Sequence, residues 1–250
     1  MLKKIMEKKE LREIPIEDAE MALSLCLKKD SPEDYVIKCS RKILHSVYGA
    51  FGSRKLLNSK IRAPEEILRK HLSTRERLPY YGQIYGRFFR DLRGFRGTIF
   101  DLGAGVNGFS VEFLPNLRYV GIEGIGQLVK LMNSYFEKQK LNAIAVHLSL
   151  FQLEKIKQLI KKEKGKKIVF LFKVLDSLET LKRDYSKRLL LELSSLVDRV
   201  IISFATESML RRKKFRVKRN WILDFISENF LIIDDFEIGG ERYISFEKNK

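Results

Sequence analysis

FDLGAGVNGF, residues 100–109, runs from the end of an apolar segment into Gly103-x-Gly105-x-x-Gly108. Glycines directly after a strand let backbone N–H groups and the start of the next helix approach an anionic or polar ligand. The spacing matches a dinucleotide-binding turn, yet the run also carries Asp101, which that pattern does not require. Working outward, GTIFDLGAG (97–105) reads as a buried strand entering the turn. RYVGIEGI (118–125) and NAIAVHLSL (142–150) read as two further strands. KKIVFLFKVL (166–175) and DRVIISFAT (198–206) are continuous apolar runs of the kind buried on both faces of a parallel sheet. Helix-like stretches lie between them at 126–139 and 151–163, as one long helix within 177–197, and at 220–230. Strands separated by helices predict a doubly wound α/β sheet.

The C-terminus breaks this rhythm. LIIDDFEIGGERYISFEK (231–248) holds two strand-like runs joined at Gly239-Gly240, a hairpin signal. A plain dinucleotide-binding sheet ends on a parallel strand. This ending resembles instead the seven-stranded, Rossmann-like class I methyltransferase sheet, whose last strand inserts antiparallel. Residues 1–95 are different again, because Pro15, Pro32 and Pro64 each sit near a plausible helix start. The expectation is a helical N-terminal subdomain over 1–95 and the sheet domain over 96–250.

Composition bounds the partner. Hydrophobic residues make up 44% of the 250, enough for a sizeable core, and the net charge of +17 favours a polyanion such as RNA or DNA. No run of 18 apolar residues occurs, so no membrane span is expected. Cys26 and Cys39 show no metal-ligand spacing; they read as two buried, reduced thiols of a cytoplasmic protein, with neither a metal nor a disulfide framework.

Two ligand classes use such a glycine turn, and both want an acid at the end of the second strand for the ribose hydroxyls. Glu123 suits either. Asp101 separates them: a carboxylate at the mouth of the first strand repels a pyrophosphate but suits the ammonium and sulfonium of S-adenosylmethionine. The plainer alternative makes Asp101 a helix cap and the glycines a simple turn.

Four further segments occur in order: HLSTRERL (71–78), DLGAGVNGFS (101–110), FKVLDSLE (172–179) and SFATES (203–208). Together with GGERYISFEK (239–248), they resemble the 16S rRNA guanine-N7 methyltransferases associated with aminoglycoside resistance. The resemblance implies that Arg75 meets the methionine carboxylate of S-adenosylmethionine and that Asp101, Gly103 and Gly105 line its amino-acid end. It implies that Glu123 with Gly124 takes the ribose and that Ser149 with Leu150 borders the adenine, Ser149 standing where an acid is common. It also implies a helical N-terminal subdomain that grips the small ribosomal subunit. The sequence departs from that family at Gly108, at Ala205 and through MLRRKKFRVKRNW (209–221), so the cofactor half is the better preserved.

Guanine N7 presents a lone pair, so attack on a methyl group needs no general base. Consistently, the chain has only three histidines, and His71 reads as a packing or orienting residue. Lys173 and Phe204 are candidates to position the base, with a strand-end lysine and a core phenylalanine as the alternatives. For RNA, Arg211, Arg212, Lys213, Lys214, Phe215, Arg216, Lys218 and Arg219 offer seven cations around one aromatic, which otherwise read as a solvated loop. Arg54, Lys55, Lys60 and Arg62 form a second basic region. The expected protein is a monomeric, cytoplasmic RNA methyltransferase. Alternatives are the same chemistry on tRNA or another structured RNA, a non-catalytic RNA-binding protein, and a small-molecule methyltransferase.

Overall fold

Short runs rich in Val, Ile and Phe, each closed by glycine or a polar residue, favour strands buried between helical layers. The structure, a computed structural model, describes residues 1–48, 63–92, 94–115, 117–206 and 219–249. The helical segment contains α1 (Leu2–Met6), α2 (Ile16–Cys26), α3 (Glu33–Tyr48), α4 (Pro64–Lys70), α5 (Leu72–Arg77) and α6 (Tyr81–Phe88). The sheet region follows with β1 (Gly97–Leu102), β2 (Arg118–Glu123), α7 (Gly126–Lys138), β3 (Ala143–His147), α8 (Leu153–Lys162) and β4 (Lys166–Phe172). It continues through α9 (Leu175–Leu181), α10 (Tyr185–Ser194), β5 (Arg199–Ala205), α11 (Asn220–Asn229), β6 (Phe230–Ile238) and β7 (Glu241–Lys248).

Among the described residues the seven strands form one sheet in the order β3-β2-β1-β4-β5-β7-β6. The first five run parallel, and β7 lies antiparallel between β5 and β6. This is the expected class I α/β sheet. Its hairpin turns at Gly239 (φ 61°) and Gly240 (φ 74°), both left-handed, as a two-residue turn matched to strand twist demands.

Alternation along the strands divides the core in two. Ile99, Tyr119, Ile168, Phe170, Ile201 and Tyr243 face one side, where α6, α7 and the N-terminal helices pack. Phe100, Val120, Val169, Leu171, Ile202 and Phe246 face the other, covered by α8, α9, α10 and α11. Ile5, Leu11, Ala22 and Leu44 belong to the same apolar cluster as the first face, so the N-terminal helices share the core of the sheet.

Two expectations are corrected. The long helix within 177–197 is two helices, broken where Asp184 takes a left-handed φ of 59°. The Glu179 carboxylate accepts the N–H groups of Asp184 and Ser186, satisfying the new helix start from outside it. The cysteines are not free thiols: Cys26 and Cys39 form a disulfide, with Cα atoms 5.9 Å apart. The turn at Pro32 folds α3 back along α2, so residues 13 apart in sequence meet face to face. No described helix is long and apolar enough to cross a membrane.

Candidate active site

The strand order reverses between β1 and β4, and a ligand crevice opens at the carboxyl ends of the strands beside such a switch point. The glycine turn occupies this position. Gly103 has φ 74°, and a Cβ there would sit 2.7 Å from Val174 Cγ2. The Gly103 N–H donates to the Ile122 carbonyl at 2.8 Å, which ties the turn to β2. Gly105 (φ 57°) donates its N–H to Glu123 Oε2 at 2.7 Å, while the Ile125 N–H donates to Oε1 at 2.8 Å. Burial pushes the Glu123 carboxyl up to about 7, although these backbone donors pull the other way.

Beneath the turn lies a buried polar network. Asp101 Oδ2 accepts from Asn107 Nδ2 and from the Tyr119 hydroxyl, each at 2.7 Å. Burial raises the Asp101 pKa, and the two donors oppose it. Asn107 Oδ1 accepts from the Tyr81 hydroxyl at 2.7 Å, and Tyr85 pairs with Ser110 at 2.7 Å. Asp101 thus supports the loop from below and is only 1% exposed.

HLSTRERL docks on that turn. His71 caps α5, its Nδ1 accepting the Thr74 N–H at 3.4 Å, and its Nε2 would lie 3.3 Å from a Cβ on Gly105. Burial first, then the charges of Arg77 and Lys173, push His71 down to about 3, so it is neutral at ordinary pH. This fits the packing role read from the sequence. Arg75, within α5, is exposed. Arg77 is buried and donates through Nε to both oxygens of Glu241, at 3.1 and 3.0 Å.

Glu241 also meets Lys173 Nζ at 2.9 Å and accepts from the Ser203 hydroxyl. Lys173 further pairs with Glu76 at 2.7 Å. Burial alone would raise the Glu241 pKa, but Arg77 and Lys173 outweigh it and hold the carboxylate below its usual range. Lys173 has a left-handed φ of 56°, a strained backbone at the end of β4. Its N–H donates to both the carbonyl and the hydroxyl of Ser203, which fixes that geometry.

The cleft itself is lined by Gly103, Glu123, Gly124, Leu150 and Lys173, with Asp18 and Tyr48 entering from the N-terminal helices. Buried acceptors and apolar side chains in one lining suit a ligand with both polar and apolar parts. No protein-family model matches the sequence, and no curated protein is significantly similar to it. Solved structures are similar in fold. The 16S rRNA methyltransferase RmtF, in complex with S-adenosyl-L-homocysteine, superposes at TM-score 0.76 with 20% identity, covering 99% of this chain and 96% of its own. The 16S rRNA methylase RmtB gives 0.76 at 19% identity, covering 99% and 97%. An rRNA methylase from Escherichia coli gives 0.77 at 20%, covering 99% and 98%. This chain has the fold of the 16S rRNA methylases. Because coverage is nearly complete, the shared fold includes the N-terminal helices as well as the sheet.

Within this methylase fold, the structure brings together Gly103, Glu123, Gly124, Leu150 and Lys173 from the sequence-derived set. Ser149 stands just behind Leu150, its hydroxyl donating to Asp18. Phe204 takes the core position given as its alternative, with the Arg219 guanidinium 5.0 Å from its ring centre. Arg219, of the expected RNA-contacting set, pairs its guanidinium with Asp176 at 2.8 Å and donates to the Ala205 carbonyl at 3.0 Å. Arg211, Arg212, Lys213, Lys214, Phe215, Arg216 and Lys218, with Arg54, Lys55, Lys60 and Arg62, lie outside the described residues. Sequence reasoning missed Asp18, Tyr48, Asn107, Arg77 and Glu241. For Asp18 a signal exists: it shares the spacing of the buried Ala22 and Cys26, a carboxylate on the inward stripe of α2.

Proposed function

We propose that this chain transfers a methyl group from S-adenosylmethionine to N7 of a guanine in small-subunit rRNA. The observation that carries the proposal is the glycine turn joined to Glu123 within the cleft at the β1–β4 switch point. The residues present fit the cofactor. Gly103, where the left-handed φ and Val174 exclude a side chain, lines the cleft with its backbone. Glu123 supplies an acceptor for ribose hydroxyls beside Gly124, and Leu150 gives the purine an apolar wall. Gly105 and the Asp101-supported loop border the amino-acid end, and Arg75 supplies an exposed cation for the carboxylate.

When bound, the cofactor supplies a methyl group on a sulfonium. The protein's part is then alignment and electrostatics. Guanine N7 carries no proton, so a neutral, buried His71 is compatible with the reaction. Lys173, at the cleft's edge with its ammonium held by Glu76 and Glu241, stands where it could orient the O6 and N7 edge of the base. The basic segments around residues 53–62 and 211–218 neutralise phosphates, as the net charge of +17 favours. The helices before residue 97 widen the contact with the ribosomal subunit.

Incubating the protein with methyl-labelled cofactor and, separately, assembled small subunits, protein-free rRNA and tRNA tests the proposal. Label is expected in 16S rRNA. Label confined to tRNA redirects the substrate, and cofactor binding without transfer to any RNA supports the non-catalytic alternative.

A further inference from the structure

The cleft holds a second buried carboxylate that the glycine turn does not account for. Asp18 comes from α2, is 1% exposed, and lines the cleft some 105 residues upstream of Glu123 in the chain. Its two hydrogen-bond partners are hydroxyls: Tyr48 at the end of α3 donates to Oδ2, and Ser149 donates to Oδ1. A carboxylate has about four acceptor sites, so two hydroxyls leave Asp18 able to accept from a ligand. Burial raises its pKa against those donors, as expected for a carboxylate still short of partners.

The surroundings define the ligand part that fits. Leu150, Phe151, Val47 and Leu178 line the same cleft and form apolar walls for a flat ring. Glu123 lies at the end of β2, and Ser149 follows the end of β3, the next strand outward. A nucleoside whose ribose meets Glu123 therefore extends its base towards Ser149. The Ser149 hydroxyl oxygen already accepts the Phe151 N–H at 3.0 Å, and its proton goes to Asp18. The serine's proton and one of its two lone pairs are taken, and the charged carboxylate beside it is the stronger acceptor. An amine on the base then finds its strongest acceptor one atom further on.

We propose that Asp18, supplied by the N-terminal helical hairpin, accepts the exocyclic amine of the cofactor's adenine, with Ser149 and Tyr48 positioning its carboxylate. The inference rests on the S-adenosylmethionine reading and makes the helical segment part of the cofactor site. Asp18 is thus a specificity residue that selects an amino-purine over an oxo-purine.

Calorimetry with S-adenosylhomocysteine and S-inosylhomocysteine, which carries an oxo group in place of the amine, tests it. The wild type is expected to prefer the adenosyl ligand by about 10- to 100-fold, the range for a hydrogen bond to a charged group. Asp18→Asn should reduce that ratio to within about threefold, chiefly by weakening the adenosyl ligand. Ser149→Ala keeps the carboxylate and should keep most of the preference, whereas Glu123→Gln should weaken both ligands alike. Equal loss of both ligands in Asp18→Asn overturns the proposal. So does a wild type without preference, or a preference abolished by Ser149→Ala; these two results decide even where Asp18→Asn does not fold. A wild type that binds neither ligand overturns the cofactor reading itself and Asp18's role with it.

Discussion

In the proposed site Glu123 is the acceptor for the cofactor's ribose, and its environment gives that binding a pH dependence. Its carboxyl titrates at about 7 because burial disfavours the charge more than the Gly105 and Ile125 N–H groups favour it. In that reading ribose hydroxyls donate to the ionised carboxylate, so the ligand binds best once Glu123 has lost the proton it holds below that pH. Affinity for S-adenosylhomocysteine should therefore rise with pH through about 7, by about tenfold between about pH 6 and 8, and level off above. Glu123→Gln should flatten the profile. Calorimetry across that range checks both, and a profile that falls with pH would contradict the assignment. The same scale shows what sequence can carry. Glu123 is legible because it ends an apolar strand a fixed interval after a glycine turn. Of Asp18 only its place on the inward stripe of α2 is legible; its partner Ser149, like the Arg77 partner of Glu241, lies 131 or 164 positions away and is met only through tertiary packing.

Elements are legible where the pattern is local. All five parallel strands stand where apolar runs end in turn residues, and the Gly239-Gly240 hairpin sits where two left-handed positions are needed. The break at Asp184 is hidden, because its support is a carboxylate borrowed from the preceding helix. The α2–α3 hairpin is hidden for a related reason: helix starts at Pro15 and Pro32 are visible, but not the face each helix presents. That face pairs Cys26 with Cys39, Ala22 with Ser40, and Asp18 with Tyr48 along one antiparallel seam. Closing a loop of this size removes unfolded-chain entropy, so Cys26→Ser should lower stability by about 2–4 kcal/mol in a denaturation experiment. The same substitution should weaken S-adenosylhomocysteine binding less than Asp18→Asn does. An unchanged denaturation midpoint under oxidising conditions would show that the disulfide does not constrain the native fold.

At the scale of the whole molecule, an excess of 17 positive charges accompanies a cleft whose own carboxylates are buried. In the proposed function that charge acts outside the cleft, on the RNA. Replacing Arg211, Arg212, Lys213 and Lys214 with Ala should weaken RNA binding irrespective of sequence. It should also flatten the salt dependence by about 0.7–0.9 log units per log unit of salt for each phosphate that is no longer neutralised. Cofactor affinity should stay unchanged. Binding measured across salt concentrations for the wild type and this variant decides the matter, and an unaltered slope would move the RNA to the region of Arg54, Lys55, Lys60 and Arg62. The most direct test of methyl transfer to guanine N7 is the chemistry of the product. N7-methylguanosine is labile to reduction followed by aniline, so 16S rRNA from treated small subunits should break at one guanine, and only after incubation with active protein and S-adenosylmethionine. Intact rRNA carrying its methyl group on an adenine amine or a ribose hydroxyl would contradict the account.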